Sequence, residues 1–138
     1  MNQKKAALIA QMPLIDKRGF DVKKYTVSNS FPLHWHDCWE IEIVLDGSGT
    51  QTLNGVQYPL SRGSVYLLNP TDFHSIDTKN LTIYHIMFSD EIMSDEMAAA
   101  FSKYDSGFCA QISDAELEQL SDICSLLMYE NSKALPMM

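Results

Sequence analysis

The sequence predicts a mostly β protein, a sandwich or closed barrel, with helices packed after it. Short β-favouring runs recur with turn residues between them at intervals of about 8–12 residues. The composition then changes near residue 90, losing β-branched residues and gaining Ala, Met and Glu. At 138 residues, 46% of them hydrophobic and 20% charged, the chain suits one globular domain with a substantial core.

The opening MNQKKAALIAQMPL is basic at its start, but Gln11 and Pro13 interrupt its apolar run. It is too short for a secretion-signal core or a membrane span, so residues 1–19 read as an N-terminal arm of an intracellular protein. FDVKKYTVS (20–28) is the first strand. After Pro32 come EIEIVL (40–45), TQTL (50–53), VQYPL (56–60), SVYLLN (64–69) and LTIYHIMF (81–88). Gly47-Ser48-Gly49 reads as one turn and Gly63 after Ser61-Arg62 as another. Asn54-Gly55 is the pair favoured in a two-residue type I′ hairpin, where both residues need positive φ. Residues 20–89 are therefore the expected barrel core and 90–138 a helical segment.

Residues 90–104, DEIMSDEMAAAFSKY, favour helix. Ser113-Asp114-Ala115-Glu116 is a capping box that opens a second helix over 113–128. Leu117, Leu120, Cys124 and Leu127 follow at spacings of +3, +4 and +3. Such a stripe either packs on the barrel or forms the seam of a homodimer. Ile123, Leu126 and Met128 widen the apolar surface, and the dimer seam is the expectation taken for the four-residue stripe. Pro136 would stop the helix.

The net charge of −8 argues against this chain gripping nucleic-acid phosphates by itself. Cys38, Cys109 and Cys124 are odd in number and lack CxxC spacing, which suits reduced thiols in the cytoplasm. No Ser-His-Asp order, phosphate-cradling glycine loop or paired-carboxylate glycosidase pattern stands out.

The informative stretch is HWHDCWEIEIVLDGSG, residues 34–49. Side chains two apart on a strand share a face, so His34 and His36 can point to one place. On a straight strand Glu40 would lie ~13 Å from His36, whereas metal ligands lie ~2 Å from one ion. The chain must fold back around Asp37-Cys38-Trp39 for them to converge, and His74 must arrive from another strand. Three histidines and a carboxylate suit Zn, Ni, Fe or Mn without choosing among them. The same side chains could instead contact an organic effector, or simply hydrogen-bond one another. Glu42 shares the parity of Glu40 and could accept hydrogen bonds from a sugar or amine, unless a bulge turns it to solvent. His85, among apolar neighbours, reads as a structural histidine. Trp35, Trp39, Tyr66 and Phe73 are candidate pocket walls.

His34-x-His36-x3-Glu40-x6-Gly47 resembles the first motif of the cupin superfamily, and Gly63-x5-Asn69-Pro70-Thr71-x2-His74 its second. Asn69, Thr71 and Thr78 depart from the usual residues of the second motif, and Ser28 from the Gly expected before the first. With those departures, HWHDCWEIEIVLDGSGTQTLNG followed by LNPTDFHSI looks like the N-terminal sensing domain of AraC-type transcriptional regulators over roughly residues 20–90. The resemblance implies a cupin-type double-stranded β-helix, a jelly-roll barrel, that binds a small effector such as a sugar. His34, His36, Glu40, Glu42 and His74 would line the effector pocket. The first two, with Glu40 and His74, are the candidate metal set, although no cofactor is required. It further implies a homodimer formed through the helices. DNA would be bound only by a separate helix-turn-helix domain, which nothing in this chain matches. No reaction is expected. The competing reading is a metal-dependent cupin enzyme of the dioxygenase or isomerase type, needing the same ligands plus an open coordination position.

Overall fold

A computed structural model describes residues 20–34, 38–70, 72–101, 103 and 108–134. The strands are β1 (Phe20–Val27), β2 (Phe31–His34), β3 (Trp39–Leu53), β4 (Val56–Leu60), β5 (Ser64–Leu68) and β6 (His74–Phe88). A 3₁₀ turn, Asp90–Ile92, leads to α1 (Asp95–Phe101), then β7 (Phe108–Gln111) and α2 (Asp114–Ala134). β3 and β6 pair antiparallel from Trp39↔Phe88 to Leu53↔His74, and the other strands attach to this long pair. Around its Trp39 end the order is β1-β6-β3-β5-β7; around its Leu53 end β2 lies on β6 and β4 on β3. One hydrophobic cluster draws Val44, Tyr66, Leu68 and Ile83 from the first half and Leu53, Leu60 and Ile76 from the second. The two halves thus close over a shared interior, as the expected jelly roll requires.

Gly47-Ser48-Gly49 is not a turn. It lies inside β3, where the register with β6 shifts at Val44/Asp46 and again at Ser48/Gly49. Gly47 has φ +93, and a Cβ there would come within 2.1 Å of the Asn80 carbonyl oxygen. Bulges bend a strand and raise its twist, which here folds the long pair over. Asn54-Gly55 is the expected hairpin, with φ of 50 and 86 between Leu53 and Val56.

The strands nearest the bend bury both faces. Inward-facing Val44, Tyr66, Leu68 and Ile83 fill the interior. Ile43 and Tyr84, with Ile41, Leu45, Val65 and Ile86, face outward onto α2. The stripe expected at a dimer seam is spent on this contact. Leu117 and Cys124 are buried in it, Leu120 packs against it, and Leu127 is half-buried. Tyr84 Oη lies 3.1 Å from Ser125 Oγ, tying β6 to α2. The helix instead presents Ile123 (53% exposed), Leu126 (61%) and Tyr129 (60%) outward.

The segment after residue 90 is also less helical than its composition suggests. The Ser94 hydroxyl accepts from the Met97 N–H, so a new helix starts at Asp95 and splits the expected 90–104 run. β7 then pairs with β5 from Ser64↔Gln111 to Leu67↔Phe108, returning the chain to the sheet.

The capping box forms as expected: Ser113 N–H donates to Glu116 Oε1 at 2.9 Å, and Glu116 N–H donates to Ser113 Oγ at 3.2 Å. Ser113→Ala should lower stability by about 1 kcal/mol in urea denaturation, because one N–H of the first helical turn loses its acceptor. Those bonds with Ser113 hold the Glu116 carboxyl below its ordinary 4.5. The stability they lend is present above that value and fades as pH falls through the lowered pKa.

Candidate functional site

Glu40 and Glu42 lie two apart on β3 and both point inward. Register then decides what meets them. His85 of β6 stands directly across from Glu42, and Tyr66 of β5 faces Glu42 from the other side. His74 opens β6, between Leu53 of β3 and His34 of β2. The four ionisable residues are almost wholly covered: Glu40 2%, Glu42 4%, His74 1% and His85 7% exposed. Glu42 is therefore not turned to solvent.

Glu40 sits between the two imidazoles. Its Oε1 lies 2.7 Å from His85 Nε2 and its Oε2 lies 3.3 Å from His74 Nε2. His74 Nδ1 lies 2.7 Å from Gln51 Oε1 and 3.8 Å from Glu42 Oε2. Gln51 and Glu40 would be ~36 Å apart along a straight strand, yet one imidazole bridges them. The bend at Gly47 makes that possible. Tyr25 places its ring 5.6 Å from that of His85, and Tyr66 donates its hydroxyl to the Pro59 carbonyl at 3.2 Å.

The electrostatics follow from burial. Removal from water raises the Glu42 pKa, and the neighbouring Glu40 charge adds to the rise, against the opposing pull of His74, His85 and Gln51. Burial alone would lower the His74 pKa, but the Glu42 and Glu40 carboxylates together raise it above 6.5. Burial, chiefly, pushes the Tyr66 hydroxyl up to about 12. These directions favour the charged form of His74 and the neutral form of Glu42. The cluster can accept and donate hydrogen bonds to a polar small molecule, or, once its imidazoles give up their protons, hold a cation.

Of the residues singled out from sequence, Glu40, Glu42 and His74 come together. His34 is placed by its backbone pairing opposite His74, while His36 and Trp35 lie outside the described residues. Trp39 is not a pocket wall: its Nε1 donates to Asp90 Oδ1 at 2.7 Å and its ring stacks with Phe88. Two participants were missed. His85 is hydrogen-bonded, as a structural histidine would be, but its partner is the central carboxylate of the cluster. Its parity with Leu81, Ile83 and Met87 carried that signal. Gln51 gave none, because the register shifts upstream reset which residues of β3 face inward.

The metal set that the motifs imply is represented among the described side chains by Glu40 and His74, whose facing atoms are 3.3 Å apart. Imidazole nitrogen with carboxylate oxygen suits a borderline divalent ion, so the donors present fit such a group.

Residues 24–135 match the model of the AraC-like ligand binding domain. The HTH-type transcriptional activator RhaS of Pectobacterium carotovorum is 34% identical over 68 residues, which are 49% of this chain and 24% of that protein. The chain thus spans about a quarter of the length of this curated relative. Among solved structures, ToxT of Vibrio cholerae, bound to (E)-4-(8-methylnaphthalen-1-yl)but-3-enoic acid, superposes with a TM-score of 0.58. That likeness has 13% identity over 79% of this chain and 48% of ToxT. A cupin protein of Bacteroides fragilis gives 0.51 at 20% identity, over 55% of this chain and 70% of that one. At these identities the two structures speak to the fold.

Proposed function

Because the chain belongs to the AraC-like ligand binding domain family, we propose that it senses a small-molecule effector for an AraC-type transcriptional regulator. The observation that supports this most is the buried set of Glu40, Glu42, His74 and His85 on the inner face of such a barrel. Ionisable side chains are expensive to bury, and a binding surface for a polar ligand accounts for keeping four together. The effector is a polar molecule such as a sugar, contacting these residues. The regulator acts in the cytoplasm and reaches DNA through a helix-turn-helix domain outside this chain. No helix among the described residues is long and apolar enough to cross a membrane.

A route for the signal follows from strand alternation. Glu40, Glu42 and His85 alternate along β3 and β6 with Ile41, Ile43, Tyr84 and Ile86, which bear on α2. An occupant that shifts either strand moves the surface under the helix. The test is a fusion of this chain to the DNA-binding half of an AraC-type relative, with reporter output measured across sugars, sugar acids and amines. The reading requires a response to one class of compound that disappears in Glu42→Gln. Output indifferent to every compound would count against it.

The second copy of a homodimer meets the outward row of α2, in place of the four-residue stripe. Ile123→Glu combined with Leu126→Glu should convert a dimer to monomers in light scattering, with the circular-dichroism spectrum of a folded chain retained, because both positions are exposed within the chain. A double variant that stays dimeric would place the seam elsewhere.

A further inference from the structure

We propose that Glu40, Glu42 and His85 form a site for one divalent metal ion of the zinc or manganese kind, a set different from the one the two motifs imply. The register builds it. Glu42 and His85 are a directly opposed cross-strand pair, and Glu40 is the diagonal neighbour on the same face. One ligating atom from each residue lies within 4.8 Å of the others. Ligands bound at ~2.1 Å to a single ion lie roughly 3–4 Å from one another, so small side-chain adjustments close the set. All three residues are buried, and two carboxylates beside an imidazole offer a doubly charged ion both charge neutralisation and suitable donor atoms.

A second observation comes from Gln51. It is wholly buried, its side-chain oxygen lies 2.7 Å from His74 Nδ1, and its side chain hydrogen-bonds the Glu42 carboxylate. A buried amide that holds a ligand carboxylate fixes its orientation, as the outer-shell partners of metal ligands do. The His74 side of Glu40 then steadies the ligand carboxylate without needing to bind the ion. This inference goes beyond effector sensing and stands or falls separately, since an ion here would bind with or without an effector.

The test is calorimetric titration of Zn²⁺ and of Mn²⁺ into the chelator-stripped chain, with circular-dichroism melts to confirm that each variant is folded. The expected result is about one equivalent bound by the wild type, weakened by about tenfold or more in both Glu42→Gln and His85→Gln. Glu42→Gln preserves side-chain shape, so it reports on ligation even if His85→Gln proves poorly folded. No binding by the folded wild type would overturn the proposal. Full-strength binding in folded Glu42→Gln would also overturn it, as would binding lost only when His36 is replaced.

Discussion

Leu117→Ala should remove about 3 kcal/mol of unfolding free energy, within the range measured for buried leucines that leave a cavity. Leu117 is 1% exposed and packs, with Cys124, into the layer formed by Ile43 and Tyr84. Those residues back the strands that carry Glu40, Glu42 and His85, so the lost packing also loosens the support of the site. Leu126→Ala, about two and a half turns further along the helix and facing solvent, should cost well under about 1 kcal/mol. Chemical denaturation of the two variants side by side decides the matter. Equal effects would mean that α2 is rotated relative to the sheet.

Gly47→Ala should be at least as damaging, at about 3 kcal/mol or more. The positive φ costs an L-residue roughly 1–2 kcal/mol, and a Cβ 2.1 Å from the Asn80 carbonyl oxygen forces the two long strands apart. Gly55 is the internal control. Its φ is also positive, at +86, but a Cβ there meets nothing within 4 Å. Gly55→Ala should therefore cost only about 1 kcal/mol, the backbone strain alone. Gly47→Ala should also weaken effector binding out of proportion to stability, because the bend brings Gln51 and His74 back over Glu40. Stability and binding that both survive Gly47→Ala would show that the bend does not assemble the cluster.

The contrast between the two glycines explains what the sequence could and could not convey. Asn54-Gly55 and the Ser113–Glu116 box are short-range devices whose chemistry lies within a few residues, and both form as read. Positive φ at Gly47 serves a hairpin or a bulge equally well, and only the partner strand distinguishes them. β6 was recognised from residue 81 because Asp77, Lys79 and Asn80 break its apolar pattern where it crosses the bend. β7 has four residues, too few for a periodicity to emerge. The site divides in the same way. Glu40, Glu42 and His74 were readable from parity and motif spacing. His85 and Gln51 entered through cross-strand register, which depends on residues far away in the chain. The helix stripe was identified correctly as apolar, but the choice between sheet and second subunit rests on what the barrel's outer face offers. Ile41, Ile43 and Ile86 supply that face.

In the proposed function, a small-molecule effector meets the buried carboxylates on the inner face of the barrel. The most direct measurement is the thermal melting of the wild type and of a Glu40→Gln, Glu42→Gln double variant across one panel of sugars, sugar acids and amines. A ligand at about 100 times its Kd adds about 2.7 kcal/mol to a folded protein, enough to move the transition by several degrees. The expected result is a stabilising class of compound whose effect vanishes in the double variant while the variant itself remains folded. A compound that stabilises both proteins equally would place the binding site away from Glu40 and Glu42 and overturn that function.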